Sequence, residues 1–200
     1  MTPYSTHLVV FPPGEFLAGR GANETSQFGE DGILSACIER FGTANKWCFE
    51  VGAHDGLFFS NTYRFRRDGW NQVLIESDPE AYGRLTTQAS ATVRCVQEKI
   101  GPDSLDRILS DAGAPKDLDL GVIDIDGQDW WCWRGMRQFK PRIMLVEFAY
   151  TSDDLPVWVP ELNGEGQASF AAIKMLGELK GYTPLAKTLV NLLFVKTELL

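Results

Sequence analysis

The chain has 200 residues, of which 44% are hydrophobic and 23% are charged. These fractions are ordinary for a globular domain, and they exclude a disordered chain, a collagen-like repeat and a coiled coil. Acidic residues outnumber basic residues by 27 to 19, which gives a formal net charge of −8. Because nucleic-acid backbones are anionic, this charge disfavours general nucleic-acid binding, although it is compatible with a local site for a small anion.

The cysteines indicate a reducing environment. Cys37, Cys48, Cys95 and Cys132 lie far apart, without any C-x-x-C spacing, and their apolar neighbours predict buried free thiols. No apolar run approaches the ~20 residues of a membrane span, and no basic region precedes the apolar residues 8–11. Since a signal peptide needs such a region, we expect a soluble cytoplasmic protein without membrane contact.

The N-terminal residues 1–25 lack a sustained apolar period and contain the loop-forming run Pro12, Pro13 and Gly14. We predict an N-terminal arm there, on the surface or over a site, that adds little to the core. Residues 26–200 are predicted to form a single domain, because neither a repeat nor a linker interrupts them. Its first element is a helix over 26–41, with Ser26 as the N-cap and Gly42 just past the end.

The rest of the chain alternates between short apolar runs and helical patterns. The apolar runs, each ending in an acid or a glycine, are 47–51, 72–75, 92–96, 120–123 and 142–146. The helical patterns are 61–67, 80–90, 104–112 and 169–179. This alternation predicts an α/β fold with a parallel sheet between two helical layers. Residues 183–187 and 191–196 are predicted to close the sheet as a hairpin.

The acids and glycines at the strand ends are the candidate ligand residues, because parallel sheets bind ligands beyond the carboxyl ends of their strands. Gly52 and Gly56 permit a tight turn, and Glu76 follows Gly56 by 20 residues, where an acid accepts the hydroxyls of a ribose. The turn lacks G-x-G-x-x-G and contains Asp55, which would repel a pyrophosphate. A ribose with a cationic tail, as in S-adenosylmethionine, therefore fits better than NAD.

Over residues 26–197 the sequence resembles the class I S-adenosylmethionine-dependent methyltransferases, and most of all their FkbM-like branch. The matching segments are SQFGEDG (26–32), FEVGAHDG (49–56), SNT (60–62), GW (69–70), LIESDP (74–79), SLD (104–106), IDIDG (123–127) and LVE (145–147). The resemblance implies a three-layer α/β/α Rossmann-like methyltransferase fold, with a mostly parallel seven-stranded sheet in the order 3-2-1-4-5-7-6 and an antiparallel C-terminal hairpin. It also implies methyl transfer from S-adenosylmethionine, usually to an oxygen.

The same resemblance implies a set of cofactor-binding residues. Those expected against the methionine part are Glu50, Gly52, Ala53, Asp55 and Gly56, with Asn61 ordering the loop above them. Those expected at the nucleoside are Glu76 for the ribose, Ser77 and Asp78 beside the adenine, and Glu98 at the adenine amine. Asp124, with Asp126 and Gly127, is expected beneath the transferring methyl group. Glu50 has a second interpretation, which is capping of a nearby helix.

Asp126 and His54 are the candidate catalytic residues, either of which would take the acceptor proton or orient the acceptor. Members of the family often have Glu at the third position of an Asp-x-Glu-Gly motif, where this chain has Asp126. The resemblance therefore leaves the role of residue 126 less well defined. His54 has a second interpretation as a hydrogen-bonding loop residue. Asp124, Asp126 and Glu147 are predicted to lie together, and a cation, a raised pKa or hydrogen bonds would offset their repulsion. We expect that no metal is required.

These residues favour methylation of an oxygen on a small-molecule or glycan-type acceptor. The alternative is a non-catalytic regulatory or partner subunit that binds S-adenosylmethionine or a nucleoside, since the short chain lacks a separate acceptor domain. A nucleotide-dependent oxidoreductase is disfavoured by the missing phosphate-binding glycines. The chain has six tryptophans. If some of them are exposed, they would favour a homodimer, because tryptophan is enriched at protein interfaces.

Overall fold

The computed structural model describes residues 7–149 and 155–200. The strands are β1 (Val9–Val10), β2 (Trp47–Val51), β3 (Asn71–Glu76), β4 (Val93–Gln97), β5 (Leu120–Ile123), β6 (Ile143–Glu147), β7 (Tyr182–Lys187) and β8 (Asn191–Lys196). The α-helices are α1 (Glu30–Phe41), α2 (Tyr63–Arg67), α3 (Pro79–Leu85), α4 (Ser104–Asp111), α5 (Asp129–Gly135) and α6 (Phe170–Leu179). Short 3₁₀ turns cover Glu15–Leu17, Thr86–Gln88 and Thr197–Leu199.

Within the described residues the strands form one eight-stranded sheet, in the order β1-β7-β8-β6-β5-β2-β3-β4. The five strands β2 to β6 pair with one another in parallel. Strand β8 is antiparallel to both β6 and β7. The predicted fold, strand order and C-terminal hairpin are therefore confirmed. The predicted number of seven strands is wrong, because Val9–Val10 pairs antiparallel with β7 and adds an eighth.

The central strands are apolar because both faces of the sheet are covered. Phe49 and Val51 of β2 are buried in one core, with α4, α5 and α6, whereas Cys48, which precedes Phe49, is buried in the second core, with α1. This is the alternation expected of successive side chains on a strand. Gly121 of β5 has no Cβ, and a Cβ there would overlap the ring of Phe49. Glycine thus lets a large aromatic side chain cross the neighbouring strand.

The N-terminal segment contributes to the second core, so the expectation that it adds little is wrong. Leu17 is fully buried there, and Phe16 packs against the same cluster. The segment is also tied to α1, because Asp31 Oδ2 accepts the backbone N–H groups of Thr25 at 2.9 Å and of Ser26 at 2.9 Å. Residues 1–6 of the predicted arm lie outside the described residues, and the division at residue 25 stays a prediction.

Two further sequence predictions concern the start of α1 and the thiols. Helix α1 begins at Glu30 with Gly29 as its N-cap, so the prediction of Ser26 in that position is wrong. Ser26 instead donates from Oγ to Asp31 Oδ2 at 2.9 Å. All four cysteines are free, and three of them are buried. No helix within the described ranges has the length and apolar character needed to cross a bilayer.

Candidate active site

The carboxyl ends of β2, β3 and β5 surround a cavity of about 350 Å³. The predicted site residues that line it are Gly52, His54, Glu76, Ser77, Glu98, Asp124 and Asp126. Six further lining residues were not predicted as site residues, and these are Val51, Ile75, Lys99, Ile100, Ile125 and Gln128. The sheet topology thus brings together residues that are up to 77 positions apart in the chain, as expected where parallel strands end side by side.

The turn after β2 brings the backbone of two neighbouring strands close together. Gly52 has φ 83°, and a Cβ at this position would overlap the carbonyl oxygen of Asp124. A positive φ and a close approach both favour glycine. The N–H groups of Gly52 and Ala53 each donate to the carbonyl of Ile75 at 3.0 Å, and Gly56 N donates to Ala53 O at 2.7 Å. Gly52 lines the cavity, whereas Ala53 and Gly56 shape the turn behind it.

Glu76 connects this turn to the segment after β3. Its Oε2 accepts the N–H of His54 at 2.8 Å, and its Oε1 accepts those of Ser77 at 2.7 Å and Asp78 at 2.8 Å. A carboxylate offers about four acceptor positions, so three backbone donors leave one position, on Oε2. One hydroxyl of a ribose would fill it.

Glu50 lies beneath the turn rather than on the cavity wall. It is 2% exposed, and its carboxylate accepts from Ser60 Oγ at 2.7 Å, Asn61 N at 2.7 Å and Thr62 Oγ1 at 2.6 Å. Burial raises the pKa of this carboxyl, and the three hydrogen bonds oppose that rise. Since Thr62 is the N-cap of α2, Glu50 holds the start of that helix, which corresponds to the capping interpretation left open above. The hydrogen bond from its N–H to Glu50 also fixes the backbone of Asn61.

Asp55 and Asp78 are used in local turns. Asp55 Oδ1 accepts the N–H groups of Leu57 at 2.9 Å and Phe58 at 2.7 Å. Asp78 is the N-cap of α3, and its Oδ1 accepts the N–H of Ala81 at 2.8 Å. Both carboxylates therefore already have backbone partners, and contacts from them to a cofactor stay predictions.

His54 and Asp126 are two non-glycine residues with left-handed backbone, at φ 48° and φ 54°. Such conformations are uncommon outside glycine, and they concentrate at functional sites. Asp126 N donates to Glu147 Oε2 at 2.9 Å, which fixes this turn to the end of β6. His54 Nε2 lies 3.3 Å from Arg84 Nη2. Because a guanidinium only donates, this nitrogen of His54 is the acceptor.

A row of acids lies behind the cavity at the ends of β5 and β6. Burial, and then the charge of Asp129, raises the pKa of Asp124. Burial, and then the charge of Asp124, raises the pKa of Glu147. Asp129 is 1% exposed and accepts the N–H groups of Ile125 at 2.9 Å and Gly127 at 3.0 Å. The repulsion predicted from the sequence is therefore offset by raised pKa values and by backbone hydrogen bonds.

Asp124 and Asp126 do not lie on a strand, because β5 ends at Ile123 and both residues follow it. No group of three or more His, Cys, Asp or Glu side chains is arranged to hold a metal ion in ranges 7–149 and 155–200.

Glu98 lies at the opposite end of the cavity. Its carboxylate is bound by Arg107, with Nη2 to Oε2 at 2.6 Å, and its N–H donates to Glu76 O at 3.0 Å. The adjacent Ile100 and, across the cavity, Ile125 supply apolar lining. Ile100 thus gives this end apolar surface beside the charged side chains of Glu98 and Lys99, and apolar surface of this kind suits a planar base.

Comparison with solved structures establishes the type of fold. An O-methyltransferase from Bacillus cereus, solved with SAH, is similar with TM-score 0.54 at 14% identity, covering 90% of this chain and 86% of that one. A precorrin-6y C5,15-methyltransferase from Geobacter metallireducens gives TM-score 0.52 at 13% identity, covering 88% of this chain and 92% of that one. The fold is the Rossmann-like methyltransferase fold.

A TehB-like S-adenosylmethionine-dependent methyltransferase from Corynebacterium glutamicum is also similar, with TM-score 0.51 at 13% identity, covering 90% of this chain and 92% of that one. No family model matches the sequence, and no curated protein matches it. Because the structural likenesses are at low identity, they bear on the fold, and the function rests on the site.

Proposed function

We propose that this protein binds S-adenosylmethionine in the strand-end cavity and transfers its methyl group to a small-molecule acceptor. The observation that carries the proposal is the position of Glu76 at the end of β3, where it lines the cavity and keeps one acceptor position on Oε2 beside the one that binds the N–H of His54. An acid at this place is suited to a ribose hydroxyl.

The rest of the cavity fits the other parts of the cofactor. Ile100 and Ile125 provide apolar lining for the adenine. Gly52 removes a side chain where the methionine part would approach the backbone. Asp126 lines the same cavity with an exposed carboxylate, and this would attract the cationic sulfonium and ammonium groups. The cofactor would supply a methyl group that is activated by its positive sulfur.

The protein would orient the acceptor and remove its proton, since methyl transfer is an in-line displacement. We assign removal of the acceptor proton to Asp126, because its carboxylate is exposed at the cavity and its backbone N–H is held by Glu147. His54 is the second candidate, but its Nε2 is already beside Arg84 at 3.3 Å. An acceptor bound at His54 would have to displace that contact.

The finer parts of the proposal are membership of the FkbM-like branch, transfer to an oxygen of a small-molecule or glycan-type acceptor, a cytoplasmic location and a homodimer. The motifs that carry the resemblance support the branch and the oxygen, and the similar Bacillus cereus structure is of an O-methyltransferase. The free cysteines support a reducing compartment. Trp158, which is 49% exposed, supports an interface.

Two measurements test the proposal. Calorimetric titration of the purified chain with S-adenosylhomocysteine, S-adenosylmethionine and NADH should show binding of the first two and not of NADH. Incubation with methyl-labelled S-adenosylmethionine and a fractionated cell extract should then label one acceptor fraction. Binding without any labelling would favour the non-catalytic subunit, and tight binding of NADH alone would overturn the methyltransferase proposal.

A further inference from the structure

We propose that a second cavity, at the edge of the sheet opposite the strand-end cavity, binds the phosphate group of a small ligand. The cavity has a volume of about 170 Å³, and the residues that line it are Lys140, Lys180, Gly181, Tyr182, Lys196 and Glu198. Half of these residues are lysines, and we call the cavity the lysine pocket. The proposal goes beyond the methyltransferase function and does not depend on it.

The lysine pocket lies where the first residues of β6 meet the C-terminal hairpin. Lys140 precedes β6, Lys180 is the C-cap of α6 and Lys196 is the last residue of β8. Because β8 is antiparallel to β6, with Val195 paired to Ile143, the end of β8 lies beside the beginning of β6. The strand-end cavity lies at the carboxyl ends of the parallel strands, so the two cavities lie at opposite edges of the sheet and share no lining residue.

Lys180 places a partly buried ammonium group in the pocket. Its Nζ donates to the carbonyl of Met136 at 2.7 Å, which fixes the position of the group. An ammonium group has three donors, so this bond leaves two of them for a ligand. Burial, together with the charges of Lys140 and Arg137, lowers the pKa of Lys180 to about 8, and the charge of Asp106 acts in the opposite direction. A bound anion would offset both the burial and the repulsion.

The acids near the lysines do not fill the pocket. Glu198 is the single acid among the described residues that line it, and its Oε1 lies 3.4 Å from Lys196 Nζ. The side chain of Glu198 is 73% exposed, whereas that of Lys196 is 16% exposed, so the lysine lies inside the pocket and the acid at its rim. Asp106 is directed at the backbone, because its Oδ2 accepts the N–H groups of Arg137 at 2.9 Å and Gln138 at 3.0 Å.

The charges of the lining residues favour a dianion. Three ammonium groups and one carboxylate leave two positive charges without compensation. A phosphate monoester has close to two negative charges at pH 7 and three acceptor oxygens, and lysine is a common phosphate ligand in proteins. Since the whole chain has a net charge of −8, general attraction to the protein is unfavourable for such a ligand. Binding would therefore depend on the local arrangement of the lysines.

The volume of the lysine pocket favours a small ligand. Sites for drug-sized molecules have volumes of about 300–1,000 Å³, whereas this pocket has about 170 Å³. Tyr182 forms a fixed wall, because it is 3% exposed and its hydroxyl donates to the carbonyl of Pro141 at 2.8 Å. The pocket therefore suits a phosphate group that is free or has a short substituent.

The test is a titration of the full-length ¹⁵N-labelled protein followed by NMR. The probes are inorganic phosphate, glycerol 3-phosphate and acetate, at pH 7 and at an ionic strength held constant with sodium chloride. For both phosphates we expect saturable shifts of backbone amide signals that are confined to residues 140, 180–182 and 196–198. Acetate should bind about tenfold or more weakly, because it has a single charge.

The two phosphates distinguish the source of the ligand. Tighter binding of glycerol 3-phosphate supports the proposal and indicates a phosphorylated small molecule, whereas equal binding supports it and indicates free phosphate. The proposal is overturned if neither phosphate causes saturable shifts at the lysine pocket, or if acetate binds as tightly as the phosphates.

Variants test whether the lining charges hold the phosphate. Lys180→Gln and Lys196→Gln should each weaken phosphate binding about tenfold. Glu198→Gln should strengthen it about two- to fivefold, because it removes the acid from the rim. The matched controls are Lys46→Gln and Glu161→Gln, at exposed positions, and these should leave binding unchanged. Equal weakening by Lys46→Gln and Lys196→Gln, or a failure of Glu198→Gln to strengthen binding, would contradict the proposal.

Circular dichroism spectra and melting curves show whether each variant is folded. Lys180→Gln also removes the hydrogen bond to Met136, and if that variant is unfolded, Lys196→Gln and Glu198→Gln still decide the outcome. All of these titrations are made without S-adenosylmethionine, so their result is independent of the proposed methyl transfer.

Discussion

The carboxylate of Glu76 accepts the N–H of His54 at 2.8 Å, across the gap between the ends of β3 and β2. One side chain thus fixes the backbone of the turn that carries a candidate catalytic residue, and it keeps one acceptor position for a ligand. Binding and local order are therefore coupled at this residue. A substitution of Glu76 therefore removes both a ligand contact and the acceptor that holds the backbone of His54.

Glu76→Gln and Glu76→Ala should both weaken binding of S-adenosylhomocysteine by about tenfold or more, because a charge-assisted hydrogen bond contributes about 1.5–3 kcal/mol. Glu76→Ala should also lower the melting temperature, since it leaves three backbone donors without their acceptor. Calorimetric titration and melting curves measure the two effects. Glu80→Ala, on the exposed side of α3, is the control. An unchanged dissociation constant in both Glu76 variants would show that the ribose assignment is wrong.

Leu17→Ala should lower the free energy of unfolding by about 2–5 kcal/mol, because Leu17 is fully buried and its replacement leaves a cavity. Urea unfolding measures this change. Leu179→Ala is the matched control, since Leu179 is 78% exposed and its loss should cost less than about 0.5 kcal/mol. Equal effects of the two substitutions would contradict the placement of Leu17 in the core. Removal of residues 1–25 should accordingly lower stability as well as turnover.

The strands and their order could be predicted because buried parallel strands have a distinctive composition. Leu120–Ile123 is buried at every position, so it reads as an uninterrupted apolar run between turns. Val9–Val10 has only two residues, which is too short for any periodic pattern, and its pairing with β7 depends on residues far along the chain. The sequence predicts too early a start for α1, because Ser26 lies three residues before the N-cap Gly29 and reaches the first turn only through its side chain, whose Oγ accepts the N–H of Asp31 at 3.1 Å.

The candidate site could be predicted only in part, because an acid at a strand end has several possible uses. Asp78 precedes Pro79, and this pair is itself typical of a helix start, so its capping role could have been anticipated. The partners of Glu50 are ten to twelve positions away, and nothing in the local sequence distinguishes them from a ligand. Gln128 was missed because its partners, such as Asn163, come from a distant loop.

The stability of the protein should fall as the pH rises above the ordinary carboxyl range of about 4. Glu147 and Asp124 have raised pKa values in the folded state because they are buried near other acids. The folded state therefore holds protons that the unfolded state has lost, and each such proton lowers the free energy of unfolding by about 1.4 kcal/mol per pH unit until the folded group titrates.

Glu147→Gln isolates this effect, because glutamine stays neutral and retains an oxygen for the N–H of Asp126. Relative to the wild type, the variant should become progressively more stable between pH 5 and pH 8, as measured by urea unfolding at several pH values. Glu178→Gln, in a partly exposed ion pair on α6, is the control and should show little change with pH. A constant difference between Glu147→Gln and the wild type would mean that Glu147 titrates normally.

Methyl transfer should survive removal of divalent metal ions. The acids that the sequence suggested as metal ligands have other partners, because Glu147 accepts the N–H of Asp126 at 2.9 Å and Asp124 accepts from Asn191 at 3.3 Å. Their raised pKa values also reduce the negative charge that a cation would have to offset. Turnover is measured after exhaustive dialysis against EDTA, with and without added magnesium or calcium. Loss of activity that magnesium restores would make Asp126 a metal ligand in place of the proposed base.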